Sequence, residues 1–191
     1  MPDIQTLYKN FQLRVKLDKN EFELMASYFQ PILINKKEIL VAEGKSNDKI
    51  YYVEKGLLFL YKTLDNGDTQ VIQFAKENHW ISDLYSFLSG QKSLFSVQAL
   101  EDCELWALDK KGFDEINSKF PVVETSFRLA LQGAYLSTLL RLSEIYSEDA
   151  QAKYNKMRDQ QPDLLQRVPQ YLIASYLGIL PSSLSRIRNN K

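Results

Sequence analysis

The sequence predicts an α+β chain in which an antiparallel β barrel or sandwich is framed by helices at both ends. Three observations carry this. Within residues 1–29 the apolar positions Leu7, Phe11, Leu13, Leu17, Phe22, Met25 and Phe29 recur at helical spacing. From Ile32 to Leu108 the texture changes to short runs rich in Ile, Val, Tyr and Phe. Beyond that, helical spacing returns and is sustained across residues 122–146, which hold no proline and a single glycine.

Each element follows from its own signals. The first block predicts two short helices, ended by Pro31. The runs "PILIN", "EILVA", "KIYYVEKG", "LLFLYKTL", "TQVIQFA", "SLFSVQAL" and "CELWALD" predict strands, separated by Gly44, Gly56, "DNGD" at Asp65 to Asp68 and "SGQK" at Ser89 to Lys92. Short strands at even spacing imply an antiparallel barrel or sandwich. Asn66 and Gly67 are expected to supply the positive φ angles of a tight hairpin pairing residues 56–63 with 69–75. "DKKGFDEINSKFP" predicts a short helix closed by Pro121, and a long helix over 122–146 follows.

That long helix carries two apolar seams. Leu129, Gly133, Leu136 and Leu140 form one, and Phe127, Leu131, Ala134 and Leu142 the other. A helix with two faces to hide is either buried in its own domain or shared with a second subunit. A barrel can cover only one face, which favours a homodimer. Ser147 is expected to cap the next helix, "SEDAQAKYNKMRDQQ", and Pro162 and Pro169 to begin two shorter ones.

The 45% hydrophobic and 25% charged content lies in the ordinary globular range, so a sizeable core is expected. A single cysteine, Cys103, excludes an internal disulfide, a Cys-ligated zinc site and a four-thiolate iron–sulfur cluster held by one chain, and suggests a reducing compartment. No basic-then-apolar leader is present, and runs such as "LLFLY" are far too short for a membrane helix, so a cytoplasmic protein without a membrane partner is expected. There is no glycine-rich phosphate loop, and one histidine, His79, cannot furnish a ligand set or a matched catalytic constellation. No enzymatic activity, catalytic residue, metal or resident cofactor is therefore expected, and whether an unidentified small-molecule effector binds is left open.

The zero net charge hides an asymmetry. From Arg141 onward eight basic residues stand against five acidic ones, and from Arg167 onward four basic residues stand against none. An anionic partner for this end follows. The closing stretch is "VPQYLIASYLGILPSSLSRIRNNK". Pro169 is placed to begin a helix with Leu172, Ile173, Tyr176 and Leu177 inward, and Gly178 stands where a C-cap needs left-handed geometry. Ile179 and Leu180 connect to a second helix starting at Pro181, with Leu184 and Ile187 inward and the small Ala174 allowing a close crossing. The outer face then carries Ser182, Ser183, Ser185, Arg186, Arg188 and Asn189. These are donors suited to phosphate oxygens and, for arginine, to the O6/N7 pair of guanine.

On these residues, "PQYLIASYLGILPSSLSRIR" resembles the DNA-binding helix-turn-helix of the Crp/Fnr family of bacterial transcription regulators. "VAEGKSNDKIYYVEKGLLFLYKTLDNGDTQVIQF" is similar to the front of the family's cyclic-nucleotide-binding jelly roll, and "ALEDCELWALDKKGFDEI" to its last strand and following helix. The resemblance implies a cyclic-nucleotide-binding-like sensor domain over 1–120, a dimerisation helix over 121–147 and a small all-α helix-turn-helix domain over 148–191. It puts Pro181, Ser182 and Arg186 at base-contacting positions. Two departures stand out: Leu180 replaces the usual Ser or Thr cap, and with Lys191 last in the sequence the family's β-hairpin wing is expected to be missing.

The resemblance also locates a ligand pocket. The family's Gly-Glu pair aligns with Ser82 and Asp83, and its phosphate-holding Arg-Ser pair with Ser93 and Leu94. The arginine is absent, and Lys92 is only a partial substitute, so cyclic AMP is not expected to bind in the usual way. Leu84 and Tyr85 complete the candidate pocket residues; alternatively Leu84, Phe87 and Phe95 fill it. The function implied is that of a homodimeric transcription regulator whose partners are double-stranded DNA and a second copy, with RNA polymerase a candidate third. The alternative is a small-ligand sensor or protein-interaction module that has lost DNA binding.

Overall fold

The computed structural model describes residues 2–189. Its contacts divide the chain into two units: one of residues up to Lys62 with Gln73–Gln132, the other of Thr63–Ile72 with the chain from Gly133 on.

The first unit opens with α1 (Ile4–Gln12) and α2 (Lys19–Ala26). Asp3 caps α1 by accepting the Gln5 amide, and Asp18 with Glu21 forms a capping box on α2. Leu7, Phe11, Leu17, Phe22, Met25 and Phe29 are buried as the spacing predicts, whereas Leu13 is exposed. Leu13 is the C-cap of α1, just past the last turn, and so lies off the buried stripe.

Eight strands follow: β1 (Gln30–Ile34), β2 (Ile39–Val41), β3 (Lys49–Lys55), β4 (Leu58–Thr63), β5 (Thr69–Ala75), β6 (Trp80–Ile81), β7 (Ser96–Ala99) and β8 (Cys103–Asp109). They form two four-stranded sheets, in the orders β1-β8-β3-β6 and β2-β7-β4-β5. Seven coincide with the runs read from the sequence; the two-residue β6 and the helix α3 (Leu84–Ser89) do not. Pro31 is tolerated because β1 is an edge strand, opposite Trp106 of β8. The antiparallel barrel, the long helix and the terminal helical unit give the expected α+β class.

β3 and β8 are buried on both faces. Ile50 and Tyr52, with Trp106 and Leu108, join a core shared with α1, α2, α4 (Lys110–Lys119) and the start of α5 (Pro121–Ser147). The alternate residues Tyr51, Val53, Leu105 and Ala107 point to the opposite face and are buried as well. Aromatic rings lock this core: Phe127 of α5 meets Phe113 at 4.9 Å, Trp80 at 5.4 Å and Phe11 at 5.5 Å.

The hairpin turn differs from the one expected. Gly67 takes φ +84°, but Asn66 does not enter the positive-φ region. The Gly67 amide bonds the Leu64 carbonyl and the Leu64 amide the Asp68 carbonyl, giving a three-residue loop with a left-handed glycine in third place. Asn66 serves through its side chain, which accepts the Asp68 amide and donates to the Asp68 carboxylate. Its polarity, not its backbone freedom, is what the turn uses.

The second unit contains α6 (Ala150–Gln160), α7 (Pro162–Arg167), α8 (Gln170–Leu177) and α9 (Pro181–Asn189). Tyr154, Met157, Leu164, Val168, Leu172, Ile173, Ala174, Leu177 and Leu184 are buried in it. Asp149, not Ser147, caps α6 by accepting the Ala152 amide; Ser147 is the last residue of α5 and its hydroxyl donates to the Ser143 carbonyl. Pro162 occupies the first turn of α7, while Pro169 precedes α8 as its N-cap. Among the described residues no helix is long and apolar enough to cross a membrane.

Candidate nucleic-acid interface

The terminal motif is built on a stop and a restart. Gly178 ends α8 at φ 64°, ψ 37°, a left-handed geometry that a side chain would strain. The Ile179 amide reaches back to the Ala174 carbonyl at 3.0 Å, turning the chain sharply. The Leu180 carbonyl then accepts the amides of Ser183 and Leu184, which starts α9. The Leu180 side chain is 69% exposed and, being aliphatic, supplies no acceptor to the first turn.

Leu184 is 1% exposed and anchors α9, which packs against α8 and α6. Its burial fixes which face looks outward: Pro181, Ser182, Ser185, Arg186, Arg188 and Asn189 are exposed, while Ser183 and Ile187 are half-buried at the margin. Arg186 Nη2 donates to Ser183 Oγ at 3.4 Å, so the hydroxyl steers the guanidinium. No acidic residue lies between Val168 and Asn189, leaving the face free of groups that would repel phosphate. Lys191, counted with the basic residues of this end, lies outside the described residues.

α8 is held by a contact that sequence reading misses. Ser175 Oγ donates to the Thr69 carbonyl at 2.7 Å and accepts the Val71 amide at 2.9 Å, both on β5, the edge strand of its sheet. A hydroxyl can satisfy both groups because it is donor and acceptor at once. Within the same unit Arg141 lies over the Tyr176 ring, and burial pushes the Tyr176 phenol up from its usual range. A cavity of about 190 Å³ opens beside them, lined by Arg141, Glu144, Lys153, Lys156, Met157 and Tyr176 among others. Its cations are already engaged: Lys153 with the Ile145 carbonyl, Lys156 with Glu144 and Glu148.

The seam Leu129, Gly133, Leu136 and Leu140 of α5 is exposed, and residues 131–140 are exposed on every side of the helix. In the other seam Phe127 is buried in the first unit's core, while Leu131, Ala134 and Leu142 are exposed.

The candidate pocket residues divide in two. Ser82, Asp83 and Ser93 are buried, whereas Leu84, Tyr85, Lys92 and Leu94 are exposed. Ser82 Oγ donates to the Lys49 carbonyl and accepts from Asn47 Nδ2. Asp83 caps α3, accepting the Tyr85 and Ser86 amides on Oδ1, and its Oδ2 accepts the amides of Leu94 and Phe95. Phe87 is buried in the core and Phe95 half-buried. Leu84 is exposed on α3, so its side chain fills no interior space. His79 is exposed, with Nδ1 3.0 Å from the Glu77 carbonyl. Among the described residues no group of three or more His, Cys, Asp and Glu could hold a metal ion.

A β-roll with a short helix between its sixth and seventh strands, followed by a long helix and a helix-turn-helix, defines the class of protein. Residues 32–119 match the cyclic nucleotide-binding domain family. The chain is 22% identical over 144 residues to the anaerobic regulatory protein of Bacillus subtilis, covering 65% of this chain and 60% of that protein. It is 28% identical over 76 residues to the nitrogen fixation regulation protein FixK of Rhizobium meliloti, covering 40% and 34%. In three dimensions it is similar to FixK2 from Bradyrhizobium japonicum, with a TM-score of 0.73 at 15% identity across 85% of this chain and 83% of that one. It is also similar in fold to a regulator of the Crp/Fnr family from Eubacterium rectale, with a TM-score of 0.70 at 13% identity across 91% of this chain and 83% of that one. It spans less than two thirds of the length of these two sequence relatives.

Proposed function

We propose that the chain is a homodimeric, sequence-specific DNA-binding transcription regulator. The observation that carries this reading is the outward face of α9, where Ser182, Ser185, Arg186 and Arg188 are exposed, acid-free and fixed by the burial of Leu184. Hydroxyls near the helix start suit phosphate oxygens, and Arg186 suits a guanine edge in the major groove. Both sequence relatives carry regulatory names, which supports the same reading. The exposed seam Leu129, Gly133, Leu136 and Leu140 supplies the surface for a second copy. Two copies would then set two recognition helices into successive major grooves about 34 Å apart. On this reading residues 1–120 are the sensor domain, 121–147 the dimerisation helix and 148–191 the DNA-binding domain, with RNA polymerase a further partner.

Titration of the full-length protein against duplexes from its own promoter region and against a random duplex, at equal moderate salt, tests the reading. A preference of at least tenfold for one promoter segment is expected. Equal affinity for both duplexes sinks it.

A further inference from the structure

Four backbone amides converge on one buried carboxylate. Asp83 is 1% exposed. Its Oδ1 takes the Tyr85 and Ser86 amides at 3.0 and 3.2 Å, which is the local cap of a six-residue helix. Its Oδ2 takes the Leu94 and Phe95 amides at 2.6 and 3.1 Å, and these come from a separate segment eleven and twelve residues further on. Capping needs only the first pair. The second is two successive amides aimed at one point, a concavity of the kind that binds anions.

The segment is pinned where it stands. The Ser93 amide bonds the Lys45 carbonyl at 2.7 Å, and the Gly44 amide bonds the Ser93 carbonyl at 2.8 Å. Ser93 itself is 3% exposed, and its Oγ has no hydrogen-bond partner. The donors at this corner are thus backbone groups, one unpartnered hydroxyl stands beside them, and Lys92 is exposed.

We infer that the Leu94–Phe95 amide pair is an anion site whose occupant is the chain's own Asp83. The group implied by a cyclic nucleotide-binding domain does not fit here. A buried phosphate would need free donors and a cation at this corner, and here the two amides are taken by a carboxylate tethered at high effective concentration while Lys92 is exposed. This inference concerns the first unit alone and stands or falls independently of what α9 reads.

The test uses the full-length protein and small carboxylates as probes. Asp83→Ala removes the occupant and leaves both amide pairs without an acceptor. Its melting temperature falls by about 5–10 °C, the scale expected for losing several charge-assisted bonds in a chain of this size. Formate at about 100 mM restores at least half of that loss relative to sodium chloride at the same ionic strength, and leaves the wild type unmoved. No formate effect on the variant, or an equal effect on both proteins, overturns the inference, as does a thermal shift of the wild type by cyclic AMP. Should Asp83→Ala not fold in plain buffer, its folded yield in formate reads the same way: recovery supports the inference and no recovery overturns it. In Asp83→Asn the side chain still fills the site but offers one acceptor oxygen. One of the two amide pairs, 85–86 or 94–95, then loses its slow hydrogen exchange, and formate does not bring it back. Unchanged exchange at all four amides also overturns the inference.

Discussion

The guanidinium of Arg141 lies 4.7 Å from the centre of the Tyr176 ring and donates to the Tyr176 backbone carbonyl at 3.2 Å, tying the last third of α5 to α8. The side chain stacks and bonds at once, which needs a flat cation. Arg141→Ala is expected to destabilise the protein by about 1–2 kcal/mol in urea unfolding. Arg141→Lys recovers little of this, because an ammonium cannot stack in the same way. A lysine variant as stable as wild type removes the stacking argument.

Ser175 makes a second tie, to both Thr69 and Val71. Ser175→Ala leaves a strand-edge amide and carbonyl without their partner, and a loss of about 1–2 kcal/mol follows. Hydrogen exchange at Val71 is the direct readout: it accelerates in Ser175→Ala and stays slow in Ser175→Thr, which keeps the hydroxyl. Equal rates in all three proteins contradict this role.

On α9, Arg186 and Arg188 are expected to behave differently although both are exposed. Arg186→Ala costs about 1–3 kcal/mol on the preferred site and relaxes the choice of one base. Arg188→Ala weakens all sequences alike and lowers the slope of log affinity against log salt by about 1. Competition titrations at several salt concentrations separate the two. An Arg186→Ala protein with undiminished sequence preference places the base contact elsewhere.

The apolar seam of α5 predicts the oligomeric state. Leu140 is 66% and Leu136 60% exposed in the single chain. Replacing both with aspartate puts two like charges per copy into the proposed interface, and sedimentation equilibrium at micromolar protein is expected to report a monomer. A wild type that sediments as a monomer is the contrary result.

Cys103 is buried on β8, where its thiol bonds the Leu57 and Glu101 carbonyls and burial pushes its pKa up to about 11. At pH 8 only about one molecule in a thousand carries the thiolate, the reactive form. A disulfide reagent is expected to leave the native protein untouched over minutes and to label it fully in urea. Because the shift is upward, the thiol becomes more reactive only as pH approaches 11. Rapid labelling of native protein at pH 8 shows the thiol to be accessible.

The strands were legible because short runs rich in Ile, Val, Tyr and Phe between turn residues are local signals, and the terminal motif because Gly178 and Pro181 punctuate it. Short elements were not. The two-residue β6 pairs with Tyr51 and Tyr52, a relation invisible in any window around Trp80. The six-residue α3 is too short to show a period, and its clearest signal was Asp83 at the cap position. At the hairpin, Asn-Gly suggested two left-handed residues, and the chain used one with a side-chain clasp. In the candidate sites, the exposed face of α9 could be read from the inward placement of Leu184 and Ile187, although Ile187 and Ser183 lie half-buried at its margin. The bonds of Ser175 and Arg141 could not, since each joins residues more than thirty positions apart.

Because the carboxylate of Asp83 is held by main-chain N–H groups, the side chains at positions 85, 86, 94 and 95 have no vote in the matter. The exposed positions 85 and 94 are free to drift through evolution without disturbing the arrangement, proline excepted, since it lacks the N–H. Ser86, by contrast, is buried, and its hydroxyl accepts the Asn47 amide and donates to the Gln91 carbonyl. Such a corner leaves little signature in a string of letters: one acid at the right place, a buried serine three residues on, and exposed neighbours of nearly any kind.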